Sequence, residues 1–322
     1  MIPWPQHRCL CVRIRLLASL LIPILLLSCH NSAPHLEEIR KLNYPSASGI
    51  EYFGKQVYII GDDATHLLIL DSLLNITDSI QLYTSGERRI PKDRKADLEA
   101  ITLIRYHDSL QLMLLGSGSL VPWRNTAWLI NPSSKRYTEW RLDTFFRRLK
   151  FQLPELNIEG AGFIGGSVVL SARGHKGFPK NYLVFTSPDF FSDQSNCPIN
   201  LVKIGANEDT ANFQGVSGMA YSRKSDKLIL TVSTENTRST YEDGTIGKSY
   251  LWIVDNISSK RRWKAINPNQ VIDLESGDTR FKGQKLESVC ILEETRKFFQ
   301  LALVADNDDG SSMLFKVYVE KE

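Results

Sequence analysis

Helical periodicity is nearly absent from this 322-residue chain. Past residue 38, short runs rich in Val, Ile, Leu, Tyr and Phe alternate with polar turns, which reads as an all-β chain. Long apolar runs are scarce as well. Leu16 to Leu27 makes 12 residues, short of the roughly 20 that span a bilayer. No Gly-x-Ser-x-Gly elbow occurs, which disfavours a serine hydrolase. Gly116-Ser117-Gly118-Ser119 lacks the Gly-Lys-Ser/Thr that a phosphate loop needs. Histidine is sparse, and His30, His35, His66, His107 and His175 show no zinc spacing. Three cysteines lie beyond residue 28: Cys29, Cys197 and Cys290. A Cys197–Cys290 disulfide is allowed in an exported protein, but nothing in the sequence brings the pair together. Cys290, inside Val289-Cys290-Ile291-Leu292, reads as a small core residue.

Charge of one sign is lacking too. The formal net charge is +3, but residues 1–28 hold three of the 39 basic residues and no acidic one, which leaves 36 against 36. A balanced surface argues against nucleic acid as the main partner. His7, Arg8, Arg13 and Arg15 followed by Leu16–Leu27 form a signal peptide over 1–28. It ends in Leu26-Leu27-Ser28-Cys29, which resembles the lipobox of bacterial lipoproteins. That resemblance implies cleavage before Cys29, lipidation of Cys29, and anchoring to a membrane of the bacterial cell envelope on its extracytoplasmic side. Ordinary secretion with an incidental Cys is the alternative. Residues 29–37 read as a tether and 38–322 as a single domain.

What the chain does have is a repeated phrase. Ser48-Gly49-Ile50-Glu51-Tyr52, Asp97-Leu98-Glu99-Ala100-Ile101-Thr102, Asn157-Ile158-Glu159-Gly160-Ala161 and Lys285-Leu286-Glu287-Ser288-Val289 share a Glu within an apolar run. Ser217-Gly218-Met219-Ala220-Tyr221 reads as a degenerate copy with Met219 in place of Glu. Each phrase opens a unit of short strands, so the expectation is a β-propeller of five four-stranded blades. Six blades remain the alternative if one long interval hides a degenerate copy. The fifth unit is one strand short, and Ile39–Leu42 is placed to complete it and close the ring. In the fourth unit the last strand falls on Trp263–Ile266. A short helix is expected after Asp143, and the tryptophans are expected in blade packing.

In such a ring the repeated Glu opens the innermost strand, so Glu51, Glu99, Glu159 and Glu287 converge at one mouth of the channel. The loops joining second to third strands share that mouth. They bring Asp62 and Asp63, Arg124, then Arg173, His175 and Lys176, then Glu235 and Arg238, and last Asp306 to Asp309. Neighbouring carboxylates need a hard cation, basic partners or shared protons. Oxygen-rich surroundings favour Ca²⁺, then Mg²⁺, with Glu51, Glu99, Glu159, Glu287, Asp62 and Asp306 as ligands. The other reading is that each Glu accepts backbone amides and staples adjacent blades. Arg124, Arg173, Lys176 and Arg238 are the candidate anion contacts, and His175 and Arg173 the candidate catalytic groups.

The Glu phrases resemble those of phytase-like and SdiA-regulated propeller proteins. The resemblance implies a propeller, often with a central cation, in exported or lipid-anchored bacterial proteins, some of them discussed as phosphoester hydrolases. Two functions follow as expectations. One is a lipid-anchored binding or scaffold protein with a central Ca²⁺ site, meeting a small anionic ligand or an envelope protein. The other is a metal-assisted phosphoesterase or lactonase at the same mouth.

Overall fold

A strand with apolar residues on both faces must be covered twice, and that requirement sets the architecture. In the strand Gln56–Gly61, Val57 and Ile59 enter one buried cluster while Tyr58 and Ile60 enter another. This period-2 division is what a sheet stacked between two others demands. The structure, a computed structural model, describes residue 1 and residues 33–84, 86–205, 213–235, 246–307 and 310–321. Residues 32–322 form one unit. Cys29 and Arg238 lie outside the described residues.

The first strand, β1 (His35–Leu42), belongs to the last blade. Blade 1 is β2 (Ala47–Phe53), β3 (Gln56–Gly61), β4 (His66–Asp71) and β5 (Ile76–Gln81). Blade 2 is β6 (Leu98–Tyr106), β7 (Ser109–Gly116), β8 (Thr126–Ile130) and β9 (Tyr137–Arg141), followed by the helix α1 (Asp143–Gln152). Blade 3 is β10 (Ile158–Ile164), β11 (Ser167–Ala172), β12 (Asn181–Thr186) and β13 (Asn200–Ile204). Blade 4 has β14 (Gln214–Ser222), β15 (Lys227–Glu235), β16 (Ile246–Asp255) and, past the short β17 (Ala265–Ile266), β18 (Gln270–Asp273). Blade 5 is β19 (Leu286–Glu294), β20 (Phe298–Asp306) and β21 (Ser312–Glu320), completed by β1. The fold is a five-bladed β-propeller.

Ring closure follows the sequence reading, with Ile39 opposite Phe315 and Leu42 opposite Ser312. The strand starts earlier than expected, at His35, so residues 35–37 of the expected tether are sheet. A second correction concerns blade 4. Ala265–Ile266 pairs in parallel with β13 of blade 3, and β18 takes the outer edge of blade 4 instead. Trp263 is 53% exposed and does not pack in the blade.

The innermost strands succeed one another round the axis, β2 against β6, β6 against β10, β10 against β14, β14 against β19 and β19 against β2. Five apolar clusters lie between blades, one per interface. The cluster between blades 2 and 3 also receives Phe145, Phe146 and Leu149 of α1. Asp143 begins α1 but makes no capping bond; the first turn is capped from outside by Gln194 Oε1, which accepts from the Thr144 and Phe145 amides at 3.2 and 3.3 Å. Cys197 and Cys290 are free thiols, both buried.

Each innermost strand carries a bulge near its start, and the extra residues are Ser48, Glu99, Glu159, Ser217 and Glu287. The residue after each bulge is small because neighbouring strands approach closely there. A Cβ on Gly218 would lie 2.5 Å from the Glu287 carbonyl oxygen and 2.6 Å from Ser288 Cα; one on Gly160 would lie 3.0 Å from the Met219 nitrogen.

Deleting residues 33–42 tests closure. Leu36 and Leu42 are buried, so their loss alone should cost about 1.5–3 kcal/mol each in urea denaturation. The bared β21 edge should make the protein associate, read as a concentration-dependent size in analytical ultracentrifugation; an unchanged midpoint and a monomer would contradict this role for β1.

Candidate cation site at the axial mouth

The bulges settle which residues are equivalent, and the answer differs from the sequence alignment. Glu99, Glu159 and Glu287 share one place, but their counterparts in blades 1 and 4 are Ser48 and Ser217. Glu51 and Met219 fall three and two residues further along their strands. The phrases share composition without sharing register, since a bulge shifts alignment by one residue and Glu can stand on either side of it. The two serines staple blades. Ser217 Oγ donates to the Leu286 carbonyl at 2.6 Å, and Ser48 Oγ donates to the Leu98 carbonyl.

Asp62 from the β3–β4 loop and Asp97 from the approach to β6 join Glu99, and one carboxylate oxygen of each lies within 4.8 Å of the others. Asp97 adopts a left-handed φ of +55°, which Asp tolerates better than most residues. Lys95 reaches into this group. Its Nζ donates to Asp62 Oδ2 and lies 2.9 Å from Asp97 Oδ1. Asp97 Oδ2 receives Arg124 Nη1 at 2.6 Å and the Ser117 hydroxyl at 2.5 Å.

The other carboxylates of the mouth also have basic partners. Glu159 lies 3.8 Å from Arg173 Nη1 and accepts from the Asn157 amide. Glu287 lies 3.2 Å from Lys285 Nζ. Asp63 accepts from Arg89 Nε at 2.6 Å. Glu99, half-buried, has no hydrogen bond or ion pair among the described residues.

Electrostatics follow this inventory. Burial, reinforced by Asp97, Glu159, Asp62 and Glu287, raises the Glu99 carboxyl well above the usual range. Burial pushes Asp62 up to about 7 against the pull of Lys95. For Asp97, Lys95 and Arg124 outweigh burial and hold the carboxyl low. Burial works against the Lys95 ammonium, but Asp97 and Asp62 more than compensate and raise its pKa. The mouth therefore has a fixed anion, Asp97, beside two carboxyls that retain protons to higher pH.

The chain matches one family over residues 43–319, a family of unknown function designated DUF6929. It belongs to that family. The match is to DUF6929, and neither a phytase-like nor an SdiA-regulated family is shown. A search of curated proteins found no match. Among solved structures the chain is similar to Myxococcus xanthus glutaminyl cyclase, with 11% identity, 90% of this chain and 98% of that chain covered, and a TM-score of 0.48. It is also similar to a putative exported protein of Bacteroides fragilis, at 8% identity, 91% and 97% coverage and a TM-score of 0.44. A member of the duf4221 family from Bacteroides vulgatus gives 10% identity, 90% and 98% coverage and a TM-score of 0.37. Overlaps this loose transfer no site to the DUF6929 chain.

Several expected site residues have other employment. Arg124 and Arg173 are buried within the carboxylate ring, and Arg173 Nη2 also donates to Ser233 Oγ at 3.1 Å. The ring of His175 is held by its loop: Nδ1 accepts from the Gly177 amide at 3.0 Å, and Nε2 sits 3.4 Å from Glu155. Lys176 is half-buried in the same turn. Asp306 is buried at the end of β20 and, with Asp63 and Asp62, raises the Arg89 pKa against the effect of burial. Glu51 is a staple, accepting from the Tyr52 amide at 2.9 Å and across blades from the Leu103 amide at 3.3 Å. The residues missed are Lys95 and Lys285. Their signal was a basic residue four or two positions before the repeated Glu.

Arg124→Ala should destabilise the DUF6929 protein by about 3 kcal/mol, because it removes one of the two basic partners of the buried Asp97 carboxylate; urea denaturation at pH 7 measures this. A second expectation concerns pH. Asp62 and Glu99 have folded pKa values above their unfolded ones, so the native state binds more protons and stability falls as pH rises from about 4 towards 7. In EDTA, Glu99→Gln should flatten that fall and melt above the wild type at pH 8; identical pH profiles would contradict the assignment.

Proposed function

We propose that the protein is an exported, lipid-anchored binding propeller whose axial mouth takes a hard cation at Glu99, with Asp62 and Asp97 beside it. One observation carries this reading: Glu99 alone among the three bulge glutamates makes no ion pair among the described residues, although the Lys95 charge is near enough to feel it, while two further carboxylates lie within 4.8 Å of it. The donors are all oxygen, which suits Ca²⁺ and then Mg²⁺. The fit is partial. Both oxygens of Asp97 already serve Lys95, Arg124 and Ser117, and Asp62 Oδ2 serves Lys95. Glu99 and Asp62 Oδ1, the latter buried with no hydrogen-bond partner, are the oxygens left to hold a partly hydrated ion.

The lipid anchor rests on the lipobox resemblance at Cys29. A cation at the mouth would give a small anionic ligand or an acidic patch of an envelope protein its counter-charge. Binding is favoured over phosphoester or lactone hydrolysis because Arg124 and Arg173 are tied into the carboxylate ring and His175 into its turn.

Thermal melts of the purified full chain test this. Moving from EDTA to Ca²⁺ at a hundredfold excess over its dissociation constant should stabilise the protein by about 2.7 kcal/mol. The gain should be larger at pH 8 than at pH 5.5, since protons compete for Glu99 and Asp62. Glu99→Gln should abolish it. No shift with Ca²⁺ or Mg²⁺ at pH 8 would sink the proposal and leave the mouth as a self-compensated ion-pair ring.

A further inference from the structure

The far end of the axial channel is built differently from the mouth. Four residues beyond the bulges, Tyr52, Leu103, Phe163, Tyr221 and Ile291 occupy the same step of the five innermost strands. Four residues of strand amount to about 13 Å. All five are half-buried and line one open cavity of about 200 Å³. Such a ring of part-exposed apolar and aromatic side chains is unusual at solvent, where isolated exposed apolar residues are normal but a closed set is not.

Two charged groups share this cavity. Glu51 lines its wall and Arg223, in the turn after β14, lies at its edge. The Glu51 carboxylate accepts from the Tyr52 and Leu103 amides, which leaves about two of its four acceptor positions open. Burial raises its pKa, and a cation placed beside it would favour the ionised carboxylate. Arg223 is exposed and has no hydrogen bond or ion pair among the described residues. The Tyr221 ring is held in place by its hydroxyl, which donates to Asp226 at 3.0 Å.

We propose that this cavity binds a small zwitterion, with its ammonium group between Glu51 and the rings of Tyr52, Phe163 and Tyr221, and its carboxylate on Arg223. Aromatic faces attract an ammonium through their quadrupole, most strongly when water is excluded. A neighbouring carboxylate adds charge, and a guanidinium is suited to receiving a carboxylate in bidentate fashion. The cavity, about 200 Å³ and open on one side, has room for a single amino acid or betaine. The site is separate from the cation mouth and does not depend on it.

Isothermal titration of the full chain with glycine betaine tests the proposal, with L-alanine as the primary-ammonium counterpart, and choline and acetate as the two half-ligands. Saturable one-to-one binding is expected for at least one zwitterion, with choline and acetate weaker by roughly tenfold. Glu51→Gln and Arg223→Ala should each weaken the zwitterion by about tenfold, and Phe163→Leu by severalfold through loss of the ring. Arg223→Ala should leave choline unaffected, and Glu99→Gln should change nothing. Arg223 is exposed, so its variant remains informative if Glu51→Gln fails to fold. Absence of binding by both zwitterions would overturn the proposal. So would choline binding as tightly as betaine, or zwitterion affinity unchanged in Arg223→Ala and Phe163→Leu.

Discussion

Five strands meeting at one axis leave very little room, and much of this molecule follows from that crowding. The innermost strands can approach only where the residue after each bulge is small, as at Gly49, Ala100, Gly160, Gly218 and Ser288. The bulge itself then turns its extra side chain towards the neighbouring blades, where Ser48 and Ser217 bond across the interface. Glutamate at the other three bulges brings carboxylates to the same ring, where burial first and then Asp97, Glu159, Asp62 and Glu287 raise the pKa of Glu99.

Such a concentration of acid is tolerable only because the chain supplies its own cations. Lys95, Arg124, Arg173 and Lys285 are drawn into the ring, and their burial is offset by the carboxylates they meet. Arg124 and Arg173, which look from sequence like part of an anion-binding surface, thus belong to the structural electrostatics. What remains for a ligand is the imbalance: one acidic group at one end, and an aromatic-lined cavity with a carboxylate and an exposed guanidinium at the other. The two ends present opposite chemistry on one frame, hard and ionic against polarisable and largely apolar.

The architecture was largely legible in the sequence. The repeated phrases, the short apolar runs that follow each of them and the position of Ile39–Leu42 gave blade number and closure, because each depends on local pattern. Register was not legible. A bulge adds a residue without marking itself, so Glu51 was aligned with Glu99 when Ser48 was the true counterpart. The site was half legible: Glu99 and Asp62 were singled out, but Asp97 was seen only as part of a phrase. Burial of Arg124 and Arg173 was hidden for a general reason. A loop arginine looks solvent-facing until the loop is known to fold over a channel. Ala265–Ile266 was misplaced because a two-residue strand carries too little pattern to show which sheet it joins.

The pairing of β1 with β21 has a consequence for how the molecule comes into being. The partners are separated by nearly the whole chain, so the last blade cannot be assembled until residues near 320 exist. Blades 1 to 4 can form from sequential hairpins as they emerge, but each needs a neighbour to bury its second face. The growing protein is therefore an open arc with two unburied end faces, one on blade 1 and one on the newest blade, until its final segment arrives. Contacts this distant in sequence form slowly, and an arc with bare end faces is prone to association meanwhile. The final pairing of β1 with β21 is then the step that removes both bare faces at once.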